Sequence, residues 1–260
     1  MSSRALAIAE RWRALGKKRA LIPYLTAGFP TPDVSLQALR CAVRAGADFI
    51  EVGVPFSDPL ADGPTIQRTT QTALQQGMTL PRVLDLIRAA ALDVPVIIMT
   101  YLNPVLAYGV ERFASDAHAA GAAGVLITDL PAGADAAVEN AVTTSALALI
   151  RLVAPTTDDA RLRAAVANAA GFVYLISRLG VTGARATVPA DLEAQVRRIR
   201  AATRLPVAVG FGIGTPAQAQ AAARTADGVV VGSALMDALA QGGVAAMERL
   251  AAELAAAVHG

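Results

Sequence analysis

Two carboxylates near the end of one predicted strand are the residues best placed to do chemistry. Residues 49–54 are mostly apolar and partly β-branched, as strands are, and Pro55 ends the run. Glu51 lies inside this strand, and Asp62 follows in the Pro-rich loop. Burial of a lone carboxylate disfavours its charged form and raises its pKa, which suits acid–base catalysis near neutral pH. We therefore interpret Glu51 and Asp62 as candidate catalytic residues.

The acidic residues of this stretch also have plainer interpretations. Glu51 could be a structural carboxylate whose oxygens accept hydrogen bonds from Ser, Thr or Tyr hydroxyls. Asp62 precedes Gly63, and Asp58 precedes Pro59, so each of these aspartates could simply form a turn.

The rest of the sequence excludes several other chemistries. The only lysines are Lys17 and Lys18, before the first predicted strand, so no lysine is placed to form a Schiff base or to hold pyridoxal phosphate. The only histidines, His118 and His259, and the single Cys41 form no cluster that would bind zinc or iron. A lone cysteine also forms no disulfide framework, which fits a reducing cytoplasm.

Composition and charge narrow the class of protein further. The 260 residues carry a net charge of +2 with basic residues spread along the chain, so we expect no nucleic-acid-binding surface. Although 54% of the residues are hydrophobic, no apolar run reaches the length of a membrane-spanning helix. Charged side chains are scattered through residues 1–15, so no signal peptide is predicted. We expect a cytoplasmic protein.

Strand and helix patterns alternate along the chain. An amphipathic helix over residues 4–15 comes first, two helices close the chain, and the predicted strands are residues 20–26, 49–54, 94–101, 124–130, 147–153, 172–177, 206–209 and 228–231. Eight strands that alternate with helices favour one α/β domain over residues 1–260, a (β/α)8 TIM barrel with an extra N-terminal helix. An open doubly wound sheet is the alternative, but its Gly-x-Gly-x-x-Gly fingerprint is missing after the first strand. Residues 102–104 are predicted to be a loop before a helix over residues 109–120.

A barrel of this kind carries its active site at the C-terminal ends of its strands. The residues expected there that could line a pocket for a flat apolar ligand are Tyr24, Tyr101, Leu126, Tyr174 and Phe211. Each of these side chains could equally be ordinary barrel filling.

Glycines after the last two strands predict a phosphate site. Gly212 follows the seventh strand, and Gly232 with Ser233 follows the eighth and precedes a short helical segment, residues 234–240. Barrels often hold a phosphate here, because glycine lets the backbone approach the anion and helix N-terminal amides donate to it. The alternative is that these glycines only form tight turns.

The predicted loop after the sixth strand, residues 179–189, is longer than most loops between a strand and a helix. It contains Thr182 and Gly183, and we expect it to act as a mobile lid. Gly183 could then close over the same phosphate.

Several motifs resemble one enzyme family. Residues 51–67, Glu-Val-Gly-Val-Pro-Phe-Ser-Asp-Pro-Leu-Ala-Asp-Gly-Pro-Thr-Ile-Gln, closely resemble the signature of the tryptophan synthase alpha subunits. Further matches begin at Tyr24 (Tyr-Leu-Thr-Ala-Gly), Met99 (Met-Thr-Tyr-Leu-Asn-Pro), Asp129 (Asp-Leu-Pro), Ser177 (Ser-Arg-Leu-Gly-Val-Thr-Gly), Gly210 (Gly-Phe-Gly-Ile) and Gly232 (Gly-Ser). The resemblance implies a TIM barrel that cleaves indole-3-glycerol phosphate to indole and glyceraldehyde 3-phosphate without a cofactor. A barrel kept only as an allosteric binding subunit is the alternative from a different class.

The resemblance also implies roles for individual residues. Asp62 would accept a hydrogen bond from the indole N–H, and Glu51 would exchange protons with the indole C3 atom and a glyceryl hydroxyl. Tyr174 would help to hold the end of the substrate where the bond breaks. The phosphate would lie on the amides of Gly183, Gly212, Gly232 and Ser233.

A partner is implied as well. It is a pyridoxal-phosphate-dependent beta subunit, in an alpha2-beta2 assembly, to which indole would pass directly. Asp58 is the candidate for a charged contact with this partner, beside its alternative role as a turn former.

Overall fold

The computed structural model describes residues 3–176, 191–210 and 212–260, with side chains from residue 6 onward. The strands of this part of the chain are β1 (Ala20–Thr26), β2 (Ile50–Gly53), β3 (Val96–Thr100), β4 (Ala122–Ile127), β5 (Ala148–Leu149), β6 (Arg151–Val153), β7 (Val173–Ile176), β8 (Val207–Gly210) and β9 (Gly228–Val231). The helices are α1 (Ser3–Leu15), α2 (Pro32–Arg44), α3 (Pro64–Gln75), α4 (Leu80–Ala90), α5 (Leu102–Tyr108), α6 (Val110–Ala120), α7 (Ala136–Thr143), α8 (Asp159–Ala167), α9 (Leu192–Ala202), α10 (Pro216–Ala223) and α11 (Ser233–His259).

All these strands belong to one parallel sheet that closes into a barrel. Their order is β5-β4-β3-β2-β1-β9-β8-β7-β6. The two end strands, β5 and β6, are separated in sequence only by Ile150, whose N–H donates to the Val125 carbonyl at 2.8 Å. They therefore occupy one barrel position, which makes eight positions in total. The predicted (β/α)8 barrel with an extra N-terminal helix is confirmed, with the fifth strand interrupted at Ile150.

Local sequence explains why these elements form. The strands β1, β3 and β4 are buried along their whole length, as expected for parallel strands that are covered on both faces. The Thr31 hydroxyl caps α2 by accepting the Val34 N–H, and Pro32 occupies the first helical position. Thr215 and Gln218 form a reciprocal capping box at the start of α10.

The structure corrects one loop prediction. Residues 102–104 form the first turn of α5 instead of a loop. The carboxylate of Asp129, just beyond β4, accepts the Leu102 N–H at 2.6 Å. This contact stabilises the start of α5 from a distant part of the chain, so the local pattern does not reveal it. Pro104 is tolerated because it lies in the first turn, where its missing N–H leaves no hydrogen bond unmade.

The helix α1 closes the N-terminal end of the barrel. Its Trp12 packs against Phe49 and Phe172, with ring centroids 4.9 and 6.0 Å away. Ile8 on the same helix is fully buried and lies so close to Gly171 that an added Cβ there would be 3.3 Å from it. Access to the barrel interior is therefore from the C-terminal ends of the strands.

The C-terminal element α11 consists of two helices that meet at Gly243, where the backbone is not helical and φ is +67°. The two predicted closing helices are therefore confirmed. No helix in the described ranges is long and apolar enough to cross a membrane.

Candidate active site

Two tyrosines and Glu51 share the barrel interior. In the register of β1 with β2, Tyr24 is paired with Glu51, and residues paired in this way point to the same face. Gly53 leaves room for the Tyr24 ring, since a Cβ there would lie 2.0 Å from the Tyr24 hydroxyl. Gly210 leaves room for Tyr174 in the same way, with a Cβ 2.2 Å from its hydroxyl. Glycines at the strand ends thus allow both rings to extend inside the barrel.

The Glu51 carboxylate is buried without full hydrogen bonding. The residue is 2% exposed, and among the described residues its Oε2 atom has no hydrogen-bond partner. Burial raises the pKa of Glu51 to about 8, and the negative charge of Asp62 adds to the shift. The structural alternative, in which neighbouring hydroxyls satisfy the carboxylate, therefore does not describe Oε2.

Asp62 lies on the loop between β2 and α3, which is shaped by its own hydrogen bonds. The Asp62 N–H donates to the Pro59 carbonyl at 3.0 Å, and Gln67 Nε2 donates to the Asp62 carbonyl at 2.9 Å. The Ala61 N–H donates to the Tyr101 hydroxyl at 3.0 Å. Burial raises the pKa of Asp62 to about 6, while an interaction with the Tyr101 hydroxyl lowers it in part.

The two acids therefore hold different protonation states near neutral pH. A pKa of about 8 keeps Glu51 mostly protonated at pH 7, whereas a pKa of about 6 leaves Asp62 mostly ionised. One group is then a proton donor, and the other is a fixed negative charge beside it. Pairs of carboxylates whose environments separate their pKa values are the usual arrangement for acid–base chemistry at one site.

The predicted pocket residues on β1, β4 and β7 are buried inside the barrel. Burial raises the pKa of the Tyr24 and Tyr174 hydroxyls well above its usual value, so both rings stay neutral. Gly124 on β4 faces the barrel interior, where the Ile8 side chain of α1 lies close to it. Leu126 is two residues further along the same strand, so its side chain points to the same face. These three side chains form an apolar wall with two polar tips, which fits a flat aromatic ligand.

Tyr101 is the pocket residue at the rim. It is 5% exposed, and its ring lies 5.3 Å from that of Phe56 in the loop between β2 and α3. Burial is the main cause that raises the pKa of its hydroxyl above the usual value, and the negative charge of Asp62 raises this pKa further. Tyr101 therefore supports the loop that carries Asp62.

Two of the candidate phosphate-binding segments lie at neighbouring strand ends. Gly212 follows β8 and has a φ of +80°, a value that favours glycine. Gly232 and Ser233 follow β9 and begin α11, whose first N–H groups have no partner within the helix. An added Cβ on Gly232 would lie 3.2 Å from the Tyr24 ring, so this segment adjoins the pocket. We call Gly212, Gly232 and Ser233 the α11 cradle.

Three predicted site residues lie outside the described ranges: Phe211, Thr182 and Gly183. Their roles stay predictions.

Asp58 lies at the outer side of the same loop as Asp62. It is exposed, and its carboxylate accepts the Ser57 hydroxyl at 2.5 Å. Leu60, two residues further on, is 90% exposed. The loop thus presents a charged and an apolar side chain to solvent while Asp62 is buried.

The sequence patterns did not single out several polar contacts around the site. Gln67 holds the Asp62 carbonyl, and Asp237 of α11 accepts the Thr65 hydroxyl at 3.1 Å. Gln67 was visible as an amide in the first turn of a predicted helix, whereas nothing in the sequence around Asp237 marks its contact with α3. Among the described residues, no three His, Cys, Asp or Glu side chains are grouped as metal ligands would be.

A parallel barrel with two buried carboxylates at its open end defines the class of TIM-barrel enzymes that work by acid–base chemistry. The family model for the tryptophan synthase alpha chain matches residues 13–259. The chain therefore belongs to the tryptophan synthase alpha chain family. It is a lyase of tryptophan biosynthesis; the family's reaction cleaves indole-3-glycerol phosphate to indole and glyceraldehyde 3-phosphate, and its partner is a beta subunit.

Individual relatives and solved structures agree with this assignment. A tryptophan synthase alpha chain from Gluconacetobacter diazotrophicus is 47% identical over 261 residues, covering 96% of this chain and 95% of the relative. A tryptophan synthase alpha chain from Caulobacter sp. is 50% identical over 223 residues, covering 85% of this chain and 81% of the relative. A tryptophan synthase structure from Mycobacterium tuberculosis superimposes with a TM-score of 0.91 at 42% identity, covering 100% of this chain and 99% of that chain. The resemblance inferred from the motifs is confirmed.

The buried state of Glu51 predicts a specific pH dependence of stability. Between its ordinary pKa of 4.5 and the folded value of about 8, the unfolded chain releases a proton that the folded chain retains. Folding stability from this group is therefore fully present below pH 4.5 and is lost as the pH rises toward 8. The Glu51→Gln variant lacks this titrating group and does not lose stability in this way. The free energy of unfolding of the variant should therefore rise relative to that of the parent as the pH increases, by about 1.4 kcal/mol per pH unit at the steepest.

Urea unfolding of both proteins at a series of pH values between 5 and 9, followed by circular dichroism, measures this difference. The exposed Asp93→Asn serves as the control, and its curve should run parallel to that of the parent. Parallel curves for the parent and Glu51→Gln would contradict a raised pKa at Glu51.

Proposed function

We propose that Glu51 and Asp62 carry the cleavage of indole-3-glycerol phosphate in this chain. The observation that supports this proposal most strongly is the pair itself: a buried acid with a pKa of about 8 beside a carboxylate with a pKa of about 6. No lysine exists beyond Lys18 to form a Schiff base with a carbonyl substrate. A retro-aldol reaction of an indole needs only a proton donor, a proton acceptor and a stabilising charge.

In the proposed mechanism, Glu51 gives up one proton and takes up another, so its protonation state is the same before and after the reaction. Protonated Glu51 gives its proton to C3 of the indole, which makes the ring cationic, and ionised Asp62 stabilises that cation through the indole N–H. The Glu51 carboxylate then takes the proton from the hydroxyl on the carbon attached to C3. The bond between C3 and that carbon breaks, its electron pair returns to the ring, and the carbon becomes the aldehyde of glyceraldehyde 3-phosphate. Glu51 ends protonated, ready for the next cycle.

The remaining candidate residues would position the substrate. Tyr24, Tyr101, Leu126, Tyr174 and Phe211 would enclose the indole ring, with Tyr174 beside the bond that breaks. The phosphate would accept hydrogen bonds from the amides of the α11 cradle and of Gly183, and the positive end of α11 favours an anion at this place. The loop that contains Thr182 would cover the site once the substrate is bound.

We also propose that the chain works in the cytoplasm as half of an alpha2-beta2 assembly. The loop between β2 and α3 offers the contact surface, since Asp58 and Leu60 are exposed on its outer side. In such an assembly, the beta subunit would receive indole directly from the barrel of this chain. Asp58 lies four positions before the buried Asp62 in one hydrogen-bonded loop, so a contact at Asp58 would act on Asp62 over a short stretch of backbone.

Loss of either carboxylate should remove most of the activity. Glu51→Gln and Asp62→Asn are each expected to lower the rate of indole release by about 10²–10⁴-fold, because positioned proton transfer contributes that much. Indole formation from indole-3-glycerol phosphate measures the effect, with circular dichroism to show that the variants fold. Asp93→Asn, an exposed acid at the other end of the barrel, is the control. A folded Glu51→Gln that turns over like the parent would refute this mechanism, whereas a parent that releases no indole would favour the alternative of a binding subunit without catalysis.

The pH profile should reflect both acids. Asp62 must be ionised and Glu51 protonated, so kcat/KM should rise as the pH passes about 6 and fall as it passes about 8. In Asp62→Asn the rising limb should disappear while the falling limb remains. A parent profile that stays flat from pH 5 to pH 9 would refute these protonation states.

The partner contact predicts a loss of stimulation. Adding beta subunit should raise the cleavage rate of the parent, and Asp58→Ala should lower this stimulation by up to about fivefold, since exposed ion pairs contribute about 0.2–1 kcal/mol. The basal rate without beta subunit should change little. Equal losses of basal and stimulated rate would assign Asp58 to local loop structure, and no stimulation of the parent would contradict the coupling itself.

A further inference from the structure

The first two turns of α3 and of α11 are joined by a polar contact that lies beside the proposed site. The Asp237 carboxylate on α11 accepts the Thr65 hydroxyl with both oxygens, each at 3.1 Å. Arg68 donates to the same carboxylate at 3.0 Å. We call Asp237, Thr65 and Arg68 the Asp237 bridge. The residues that it joins are 169 and 172 positions apart in sequence.

Each end of the bridge is adjacent to one anchor of the proposed substrate. On α11, Asp237 lies one turn beyond Ser233, which belongs to the α11 cradle. On α3, Thr65 lies near Gln67, whose amide donates to the Asp62 carbonyl at 2.9 Å. The bridge therefore connects the cradle for the phosphate with the carboxylate that would bind the indole N–H.

The barrel ladder alone does not set the distance between these two anchors. The end of β9 is fixed next to β1, and β1 next to β2, by parallel pairing. Asp62, however, lies well beyond the end of β2, on a loop that the ladder does not hold. One of the elements that position it is α3, whose Gln67 donates to the Asp62 carbonyl and whose Thr69 hydroxyl lies 2.8 Å from the Thr26 hydroxyl of β1.

We propose that Asp237 is a positioning residue that fixes the separation of the indole and phosphate anchors. This inference rests on the proposed roles of Asp62 and the α11 cradle. The substrate carries its indole and its phosphate at two ends of one molecule, so it must span a set distance. A rigid link between the two anchors lets both ends bind at once without ordering the protein further, which favours the two-ended substrate over either end alone.

The proposal predicts a selective effect of Asp237→Ala. A non-cleavable analogue with a propyl chain between indole and phosphate should bind about three- to tenfold more weakly, the range expected for the loss of one or two ordinary hydrogen bonds. The KM for indole-3-glycerol phosphate should rise by a similar factor. Glycerol 3-phosphate and indole, each of which uses one anchor, should bind as they bind to the parent. Titration calorimetry with the three ligands measures this pattern.

Matched variants separate the bridge from general effects on α11. Glu248→Ala breaks the ion pair between Arg44 and Glu248, which also joins α11 to another helix. Its side chains are 60% and 36% exposed, against 63% and 38% for Arg68 and Asp237, so it is a close control away from the site. It should leave all three affinities unchanged. Thr65→Val, which removes the hydroxyl, should reproduce the effect, and Thr65→Ser, which retains a hydroxyl, should restore binding.

Three results would contradict the proposal that Asp237 fixes the separation of the two anchors. Asp237 also carries a charge, and if it acted only through that charge, Asp237→Ala would tighten the analogue and glycerol 3-phosphate by the same factor. Equal weakening of these two ligands would place Asp237 in the phosphate site itself. An Asp237→Ala variant that binds the analogue like the parent, while Asp62→Asn is impaired, would remove the bridge and leave the proposed function standing. Full activity of Asp62→Asn would instead refute the proposed function.

Discussion

The burial of Glu51 without a partner for its Oε2 atom is the constraint on which the rest of the site depends. Burial favours the protonated form of such a carboxylate at neutral pH, because desolvation of the charge is not offset by a hydrogen bond to Oε2. Asp62 is held nearer the surface, at 8% exposure against 2% for Glu51, and titrates at a lower pH. Two side chains of the same chemistry therefore take different protonation states because the barrel buries them to different depths.

Asp62 is positioned by hydrogen bonds instead of by regular structure. The contacts of Pro59, Gln67 and Tyr101 with its loop come from the loop itself, from α3 and from the end of β3. Each ordinary hydrogen bond contributes only about 0.5–1.5 kcal/mol, but together they leave the loop few alternative conformations. Precision at the site thus depends on several elements around it, each fixed on the barrel separately.

The sequence predicted those features that local patterns determine. Alternation along β2 placed Glu51 on the strand face opposite to Ile50 and Val52, strand-end positions indicated the pocket tyrosines, and glycines after the last two strands indicated the α11 cradle. Contacts between distant segments were not predictable in this way: Asp129 caps α5, and the buried Arg151 of β6 pairs with Glu139 of α7. The charge of Arg151 inside an apolar strand was a visible anomaly, but its partner could be identified only in three dimensions. Phe211, Thr182 and Gly183 lie outside the described residues, so the sequence remains their only evidence.

The loop between β2 and α3 carries both exposed side chains and the buried carboxylate of Asp62. Leu60 is 90% exposed and Asp62 is 8% exposed, although they are two residues apart. The Leu60 N–H donates to the Asp58 carbonyl at 2.9 Å, and the Asp62 N–H donates to the Pro59 carbonyl at 3.0 Å. These two overlapping hydrogen bonds link the backbone of residues 58–60 to that of Asp62. A partner that binds the outer face of this loop would therefore act directly on Asp62, the proposed catalytic charge, without any longer pathway through the barrel.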